Sequence, residues 1–419
     1  MVRNATWEHP LIVGMDTHRS MNVVHLEDGR GEALGKALRI RNNRPGMEGL
    51  AARLDATVCA GGYDGIVLAS EATGWYWLGA FYTLQASCRQ PVQLYALNPR
   101  LTANYKKVLM NDDHEDVSDA EVIAERLRMG RDLPPPFEPE TVYAPLRLLT
   151  RYRMHLVQGA VRVKAYAANL VYLKASEYTA KDHAAFAEVF GPTSCAVLSE
   201  FGTCEELLAL PLADLAAWLQ ERGRHRFSDP TATAQRLQCV ARDSFVLPKA
   251  FTPALNTCLG LALKQLEQLS QQMEQLDVRI AAGLQALPNP LSSIPGIGQV
   301  YAAGILSEIG NIQRFGCDDA KVAKYGGLKW CHYQSGEFEA EQTPLTRHGN
   351  HYLRYYLVEA ANHVRRHVPE YAAYYAKKYA EVKTHAHKRA LVLTARKLVR
   401  LVTALLATNQ PYRARSTDA

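Results

Sequence analysis

With 419 residues, 47% of them hydrophobic and 21% charged, the chain has room for two or three domains and a sizeable buried core, which excludes a wholly disordered protein. The net charge of +6 is unevenly spread: from Leu345 to the end, 14 Lys/Arg face 4 Asp/Glu, whereas the preceding part has 34 against 38. Six of the 14 histidines also lie in this basic terminal region, which is either the footprint of a nucleic-acid binder or a solvated helical face. The uncharged stretch Ala72–Cys88 is diluted by Thr, Gly, Gln and Ser and is shorter than the roughly 18 apolar residues that span a bilayer. No membrane partner is expected. MVRNATWEHP contains no apolar signal, and the eight cysteines have no CxxC pair, so reduced thiols in a cytoplasmic protein are expected.

In chain order, LIVGMD, NVVHLED and KALRIRN read as three strands close enough for hairpins. GMEGLAARLDATV then reads as a helix, GIVLASE as a strand, TGWYWLGAFYTLQAS as a helix and PVQLYALNP as a last strand. Three antiparallel strands followed by alternating helix and strand predict a ribonuclease-H-like mixed α/β sheet. Asp16 and Glu71 each end an apolar run, where charge costs stability unless a metal or ligand compensates it. Asp116 and Asp119 are three apart in a helical pattern and project from one face, with Ala120, Val122 and Ile123 turning that face toward the sheet. Asp112, Asp113 and Glu115 lie beside them, so the chemistry alone leaves the choice within this cluster open. Four such carboxylates suit a pair of Mg²⁺ ions acting on a phosphodiester. An aspartate at the end of a first strand also suits a sugar kinase, and two acids at helical spacing also suit a solvated face.

The stretch from about 145 to 178 is one long helical pattern interspersed with Arg147, Arg151, Arg153, Arg162, Lys164 and Lys174. Residues 180–250 carry weak helical signals. From Leu259 through Ala262, Leu266, Leu269, Met273, Leu276 and Ile280 the apolar positions step by 3 and 4, a heptad seam of about three heptads stopped by the PNP at 288–290. A coiled-coil arm is expected, its partner either the 145–178 helix or a second copy. Next, PGIG between two helical patterns resembles a helix-hairpin-helix, in which Gly296 and Gly298 would let backbone amides approach a phosphate; an ordinary tight turn is the alternative. Ser335, in YQSGEF between a helix and a loop, stands beside a glycine, a neighbour that can leave a serine sterically open as a nucleophile must be; no Ser-His-Asp order surrounds it, and an ordinary loop serine is the alternative. The chain closes with the basic helix KRALVLTARKLVRLVTALLA.

In this order, GMDTH, SEATGWY, Asn98–Pro99, Lys107, DVSDAEVIA, IPGIG with SEIG and RF, YGGL, QSG and RHGNHYLR resemble the DEDD transposases of the insertion-sequence family one-ten, which includes the pilin-gene-inverting recombinases. The likeness covers about residues 10–175 and 288–370. It implies a RuvC-like nuclease domain over 1–143, a helical linker and coiled coil over 144–290, and a mostly helical transposase domain over 291–419. It also implies Asp16, Glu71, Asp116 and Asp119 as ligands of two Mg²⁺ ions, with Mn²⁺ as a substitute, and Ser335 as a nucleophile forming a phosphoserine link to DNA. Lys107, Gly296, Gly298, Arg347, Asn350, Arg354, Arg396, Lys397 and Arg400 are expected to contact nucleic acid. The implied partners are donor and target DNA, a structured guide RNA from the same element, and further copies of the chain in a dimer or tetramer. Such a composite site would join one subunit's carboxylates to another's serine, in a bacterial or archaeal cytoplasm and associated with the nucleoid. A hydrolytic RuvC-like junction resolvase and a non-catalytic nucleic-acid-binding relative are the alternatives.

Overall fold

The computed structural model describes residues 7–108, 116–130, 133–139, 142–180, 184–330, 334–335, 338–339, 345–346 and 348–414. The chain forms two compact units, Met1–Glu140 and Thr141–Ala419.

In the first unit, β1 (Pro10–Thr17), β2 (Met21–Glu27) and β3 (Leu38–Arg41) form an antiparallel meander. α1 (Arg44–Gly61) leads to β4 (Gly65–Glu71), and α2 (Tyr76–Ser87) to β5 (Val92–Leu97). β4 runs parallel to β1 and β5 parallel to β4, giving the order β3-β2-β1-β4-β5. α3 (Pro99–Val108) and α4 (Asp116–Met129) complete the unit. This is the expected mixed sheet, and it follows from side-chain alternation. Leu11, Val13, Met15, Leu26, Ile66 and Leu68 turn to one face and pack on Met47, Leu50 and Leu54 of α1 and Phe81 and Leu84 of α2. Ile12, Val67, Ala69, Tyr95 and Leu97 turn to the other, against Ile123, Ala124 and Leu127 of α4. α1 is well delimited: Asn43 caps it by accepting from the Gly46 amide, and Gly62 ends it in the left-handed region at φ 64°.

Gly14 sets how closely α4 lies on the sheet. A Cβ there would sit 2.0 Å from the Ala120 carbonyl oxygen and 2.6 Å from the Ala124 amide nitrogen. Only a residue without a side chain lets α4 come down onto β1 at this point, two residues before Asp16.

The second unit is built on two long helices, α5 (Tyr143–Lys174) and a later partner, with α6 (Pro192–Glu200), α7 (Cys204–Ala209), α8 (Leu212–Arg222) and α9 (Pro230–Asp243) between them. The partner is α10 (Thr252–Gln285). Leu146 meets Gly283, Arg153 pairs with Asp277, and Lys174 bonds Asn256, so the two helices run antiparallel. The 145–178 pattern thus takes the seam of α10 within the chain. Of that seam, Leu259, Ala262 and Ile280 are buried, whereas Leu266, Leu269, Met273 and Leu276 are half-buried. The weak signals of 180–250 become four short helices, started by Thr203 and Asp229 caps and by prolines in the first turns of α6 and α9. They form one core around Val171, Leu215, Leu219, Leu237 and Leu263 at one end of the pair.

At the other end, a second core gathers α11 (Gln299–Ile309), α12 (Asp319–Tyr325), α13 (His351–His367), α14 (Pro369–Ala380) and α15 (Ala386–Thr408), and between α12 and α13 the chain forms the short hairpin of β6 (Gln334–Ser335) and β7 (Phe338–Glu339). Helices α11, α13 and α15 pack there on Ile280 and Leu284. Among the described residues no helix is long and apolar enough to cross a membrane, and the seven described cysteines are free.

Candidate functional site

The parallel register of β1 and β4 pairs Met15 with Ser70, which brings Asp16 and Glu71 side by side at the carboxyl ends of two core strands. Thr17 and Ser70 share a buried hydroxyl–hydroxyl hydrogen bond of 2.8 Å beneath them. Asp16 is 8% exposed, and its Oδ2 lies 3.0 Å from His18 Nε2. Burial pushes the Glu71 carboxyl above the usual carboxylate range and the Asp16 charge adds to this, while Thr102, Lys106 and Thr73 pull the other way. The Thr102 side chain, whose hydroxyl makes the largest of these opposing contributions, is 1% exposed. Asp119, on the face of α4 that meets the sheet, is held in an ion pair by the Lys106 ammonium of α3.

Asp116 opens α4, but its side chain lies outside the described ones. Among the described residues no three His, Cys, Asp or Glu side chains converge on a common metal position. The donor chemistry nevertheless fits a hard divalent cation. Two carboxylates crowd at the strand ends, one of them disfavoured as an anion, beside the buried hydroxyls of Thr17, Ser70 and Thr102. Lys106 supplies positive charge at this edge, and its role was not legible in the sequence, which pointed to its neighbour. Lys107 lies in α3 with its side chain outside the described ones.

Ser335 lies in the second unit, on an antiparallel hairpin and not between a helix and a loop: it pairs with Phe338 across β6 and β7. The segment is closed at its base by a Trp330–Leu345 bridge and by the Thr346 amide donating to the Lys329 carbonyl at 2.9 Å. The Ser335 side chain is outside the described ones. The chain returns from this hairpin through Gly349, at φ 127°, and Asn350, whose amide donates to the Tyr325 carbonyl at 2.6 Å.

Asn350 is a structural residue here, contrary to the expected nucleic-acid contact. Its Oδ1 accepts from the Tyr352 and Leu353 amides at 3.0 and 3.1 Å, capping α13. Its Nδ2 donates to Glu308 Oε2 at 2.6 Å and to the Tyr325 hydroxyl at 3.1 Å. Both lone pairs and both N–H groups are used, so the amide has nothing left to offer a ligand. Glu308 itself is fully buried, 0% exposed, and takes a two-pronged contact from Arg151 at 2.7 and 2.8 Å. Arg147 donates to the Ser307 carbonyl at 2.7 Å, and the Arg151 guanidinium lies 4.4 Å from the centre of the Tyr352 ring. This carboxylate ties α5, α11 and the start of α13 together just after the serine hairpin.

The other expected nucleic-acid residues divide. Gly296, at φ 95°, approaches the backbone of α13: a Cβ there would meet His363 and Val364 at 2.9 Å, so protein packing accounts for this glycine. A short 3-10 turn, Leu291–Ser293, precedes it where a second helix was expected. Gly298 starts α11 with open space around its Cβ position. Arg354 is half-buried beside Gly327, and Arg347 lies outside the described residues. On α15, Arg396 pairs with Asp319 at 2.7 Å, with Arg400 3.6 Å from the same carboxylate. Lys397 pairs with Glu370 at 2.8 Å and faces the Tyr371 and Tyr374 rings. The opposite face of α15, including Leu398, Val399 and Val402, is core, so this helix is more a pillar of the unit than a free basic arm.

Both halves of this arrangement have counterparts in known proteins. Residues 13–172 match the DEDD transposase domain of IS110 elements, and residues 289–376 match the transposase IS116/IS110/IS902 family. The enzyme is a DNA transposase. Over 316 residues it is 27% identical to an uncharacterised 44.8 kDa protein of insertion element IS116 from Streptomyces clavuligerus, covering 73% of each chain. An uncharacterised 42 kDa protein of insertion element IS900 from Mycobacterium paratuberculosis is 25% identical over 306 residues, covering 73% of this chain and 74% of its own. The two domain matches contain Asp16, Glu71, Asp116 and Asp119 in the first and Ser335 in the second.

Proposed function

We propose that this transposase mobilises its own insertion sequence by cutting and rejoining DNA through a covalent phosphoserine at Ser335. The observation that carries this reading is the pairing of Asp16 and Glu71 at neighbouring strand ends, with Asp119 on the helix that Gly14 lets settle onto β1. Asp16, Glu71, Asp116 and Asp119 are the residues to hold Mg²⁺, or Mn²⁺ in its place. When bound, two such ions supply the charge that neutralises a crowded phosphate and its transition state. Lys106 then exchanges its hold on Asp119 for the DNA backbone, with Lys107 beside it.

In the serine step, the Ser335 oxygen bonds to phosphorus as the bond to the leaving strand oxygen breaks, and the serine proton leaves with the departing side. One phosphoester replaces another, so rejoining needs no outside energy. The closed hairpin base and the Asn350 cap fix the path of the chain on either side of Ser335. Residues 1–143, 144–290 and 291–419 act as nuclease domain, helical linker and serine domain, with a structured RNA of the element guiding donor and target DNA. Exposed Leu148, Tyr152, Val161 and Val278 along α5 and α10 support association of copies into a dimer or tetramer. Arg347 and Arg354 serve the DNA near the serine, and Gly298 leaves the start of α11 open to a phosphate.

The test uses labelled DNA on a denaturing gel. Asp16→Asn alone and Ser335→Ala alone are each expected to form no shifted protein–DNA band, while both still bind DNA. Their mixture should recover part of the band, because one subunit supplies the carboxylates and another the serine. A band from Ser335→Ala alone overturns the serine assignment. Cleavage by that variant without a band would favour water as the nucleophile.

A further inference from the structure

Positive charge is concentrated at the corner where α14 turns into α15. From Lys377 to Arg389 the chain has five Lys/Arg and two His against a single acid, Glu381. Glu381 bridges Lys378 at 2.6 Å and Arg389 at 2.9 Å, which fixes the end of α14 to the start of α15. Lys377, Lys383 and Lys388 are exposed, and no ion pair among the described residues holds them. Aromatic rings are interleaved with this charge. Arg365 lies 4.2 Å over the Tyr375 ring, the Tyr375 hydroxyl meets His387 Nδ1 at 2.6 Å, and Tyr379 follows 6.0 Å from Tyr375. Tyr379 is 49% exposed, so its ring offers a flat apolar surface beside the lysines. Fixed geometry, uncompensated cations and an open ring are what a strand of nucleic acid with accessible bases requires.

We propose that the α14–α15 corner binds a single-stranded segment of the element's DNA, the three lysines taking phosphates and Tyr379 stacking an unpaired base. It rests on the reading of the chain as a transposase acting on DNA, and adds where an opened strand is held. Duplex DNA suits the corner less, because its bases are already stacked and leave Tyr379 without a partner. The charged face of α15 differs in kind, since Arg396 and Lys397 already spend their charge on Asp319 and Glu370.

The experiment is a salt titration of the full-length protein on one sequence supplied as single-stranded DNA, duplex DNA and single-stranded RNA. The triple variant Lys377→Ala/Lys383→Ala/Lys388→Ala should lower the slope of log affinity against log salt by about 2 on single-stranded DNA, from roughly 0.7 per phosphate contact. Tyr379→Ala should weaken single-stranded DNA binding roughly tenfold and leave the duplex unchanged. An unchanged slope in the triple variant overturns the proposal, as does equal weakening of single strand and duplex by Tyr379→Ala, or a loss confined to RNA. Wild-type protein that binds none of the three forms overturns the DNA reading as well. Wild-type binding matched by both variants overturns the corner alone.

Discussion

Two carboxylate centres, one in each unit, are built on opposite terms. Glu308 is buried completely, and its neighbours answer it in full: two contacts from Arg151 and one from Asn350. Asp16 and Glu71 are placed beside each other at the strand ends, where burial and the Asp16 charge raise the Glu71 carboxyl against the pull of Thr102, Lys106 and Thr73. A saturated charge serves the fold, because every group around it would be stranded by its loss. A carboxyl held against its own charge, as Glu71 is, costs the fold something and is kept in place by the strand that carries it, which marks a candidate functional group and not a structural ion pair.

The largest effect that can break this comparison is at Glu308. Glu308→Ala would leave Arg151 buried beside an empty space and one Asn350 N–H without its acceptor, costing about 3–5 kcal/mol. Thermal unfolding should show the second unit melting far below wild type, with Mg²⁺ giving no recovery. Replacing both partners, as Glu308→Leu with Arg151→Met, should restore most of that loss, because no charge is then stranded. If Glu308→Ala melts like wild type, Glu308 is not the centre that ties α5, α11 and α13 together.

A smaller effect is expected at Gly14, which concerns the first centre through packing alone. Gly14→Ala places a methyl group 2.0 Å from the Ala120 carbonyl oxygen, so α4 must move off β1. Overpacking of this kind costs about 1–3 kcal/mol. Its specific mark would be a weaker stabilisation by Mg²⁺, since Asp119 rides on the displaced helix while Asp16 does not. Stability lost with the full Mg²⁺ response retained would separate α4 from the proposed Mg²⁺ site.

The two centres also differ in how far the sequence announced them. Asp16 and Glu71 stand at the ends of continuous apolar runs, which made both the buried strands and the cost of those charges legible. Glu308 sits in an ordinary helical pattern, and its partners lie 157 and 42 residues away, a distance no local period reports. The same limit explains Asn350, which read as a nucleic-acid contact until its four hydrogen bonds were seen, and α15, where sequence gives the sign of each charge but not Asp319 or Glu370 opposite it. Gly296 read as a phosphate approach because a glycine signals close contact without saying with what. The antiparallel partner of the α10 seam was one of two open choices, settled by contacts such as Arg153 with Asp277.

The smallest effect is the one that tests the Asp16–Glu71 centre most directly. Burial, reinforced by Asp16, raises the Glu71 carboxyl above its usual range, so the folded protein keeps that proton at a pH where the unfolded chain has released it. The stability this group contributes is therefore fully present below the ordinary glutamate range and is lost as pH rises through its raised folded value. At neutral pH without metal, wild type carries a desolvated, repelled charge that Glu71→Gln does not. The variant should then be the more stable of the two, by less than about 1 kcal/mol given that the group is only partly enclosed. Its advantage should shrink as pH falls into the acid range and vanish once wild-type Glu71 is protonated. Added Mg²⁺ at neutral pH should reverse the order, stabilising wild type and leaving the variant behind. Melting both proteins across this pH range, with a chelator and then with Mg²⁺, checks all three statements. A variant less stable than wild type at neutral pH in chelator would mean that Glu71 is compensated within the fold, as Glu308 is, and the contrast between the two centres would fall.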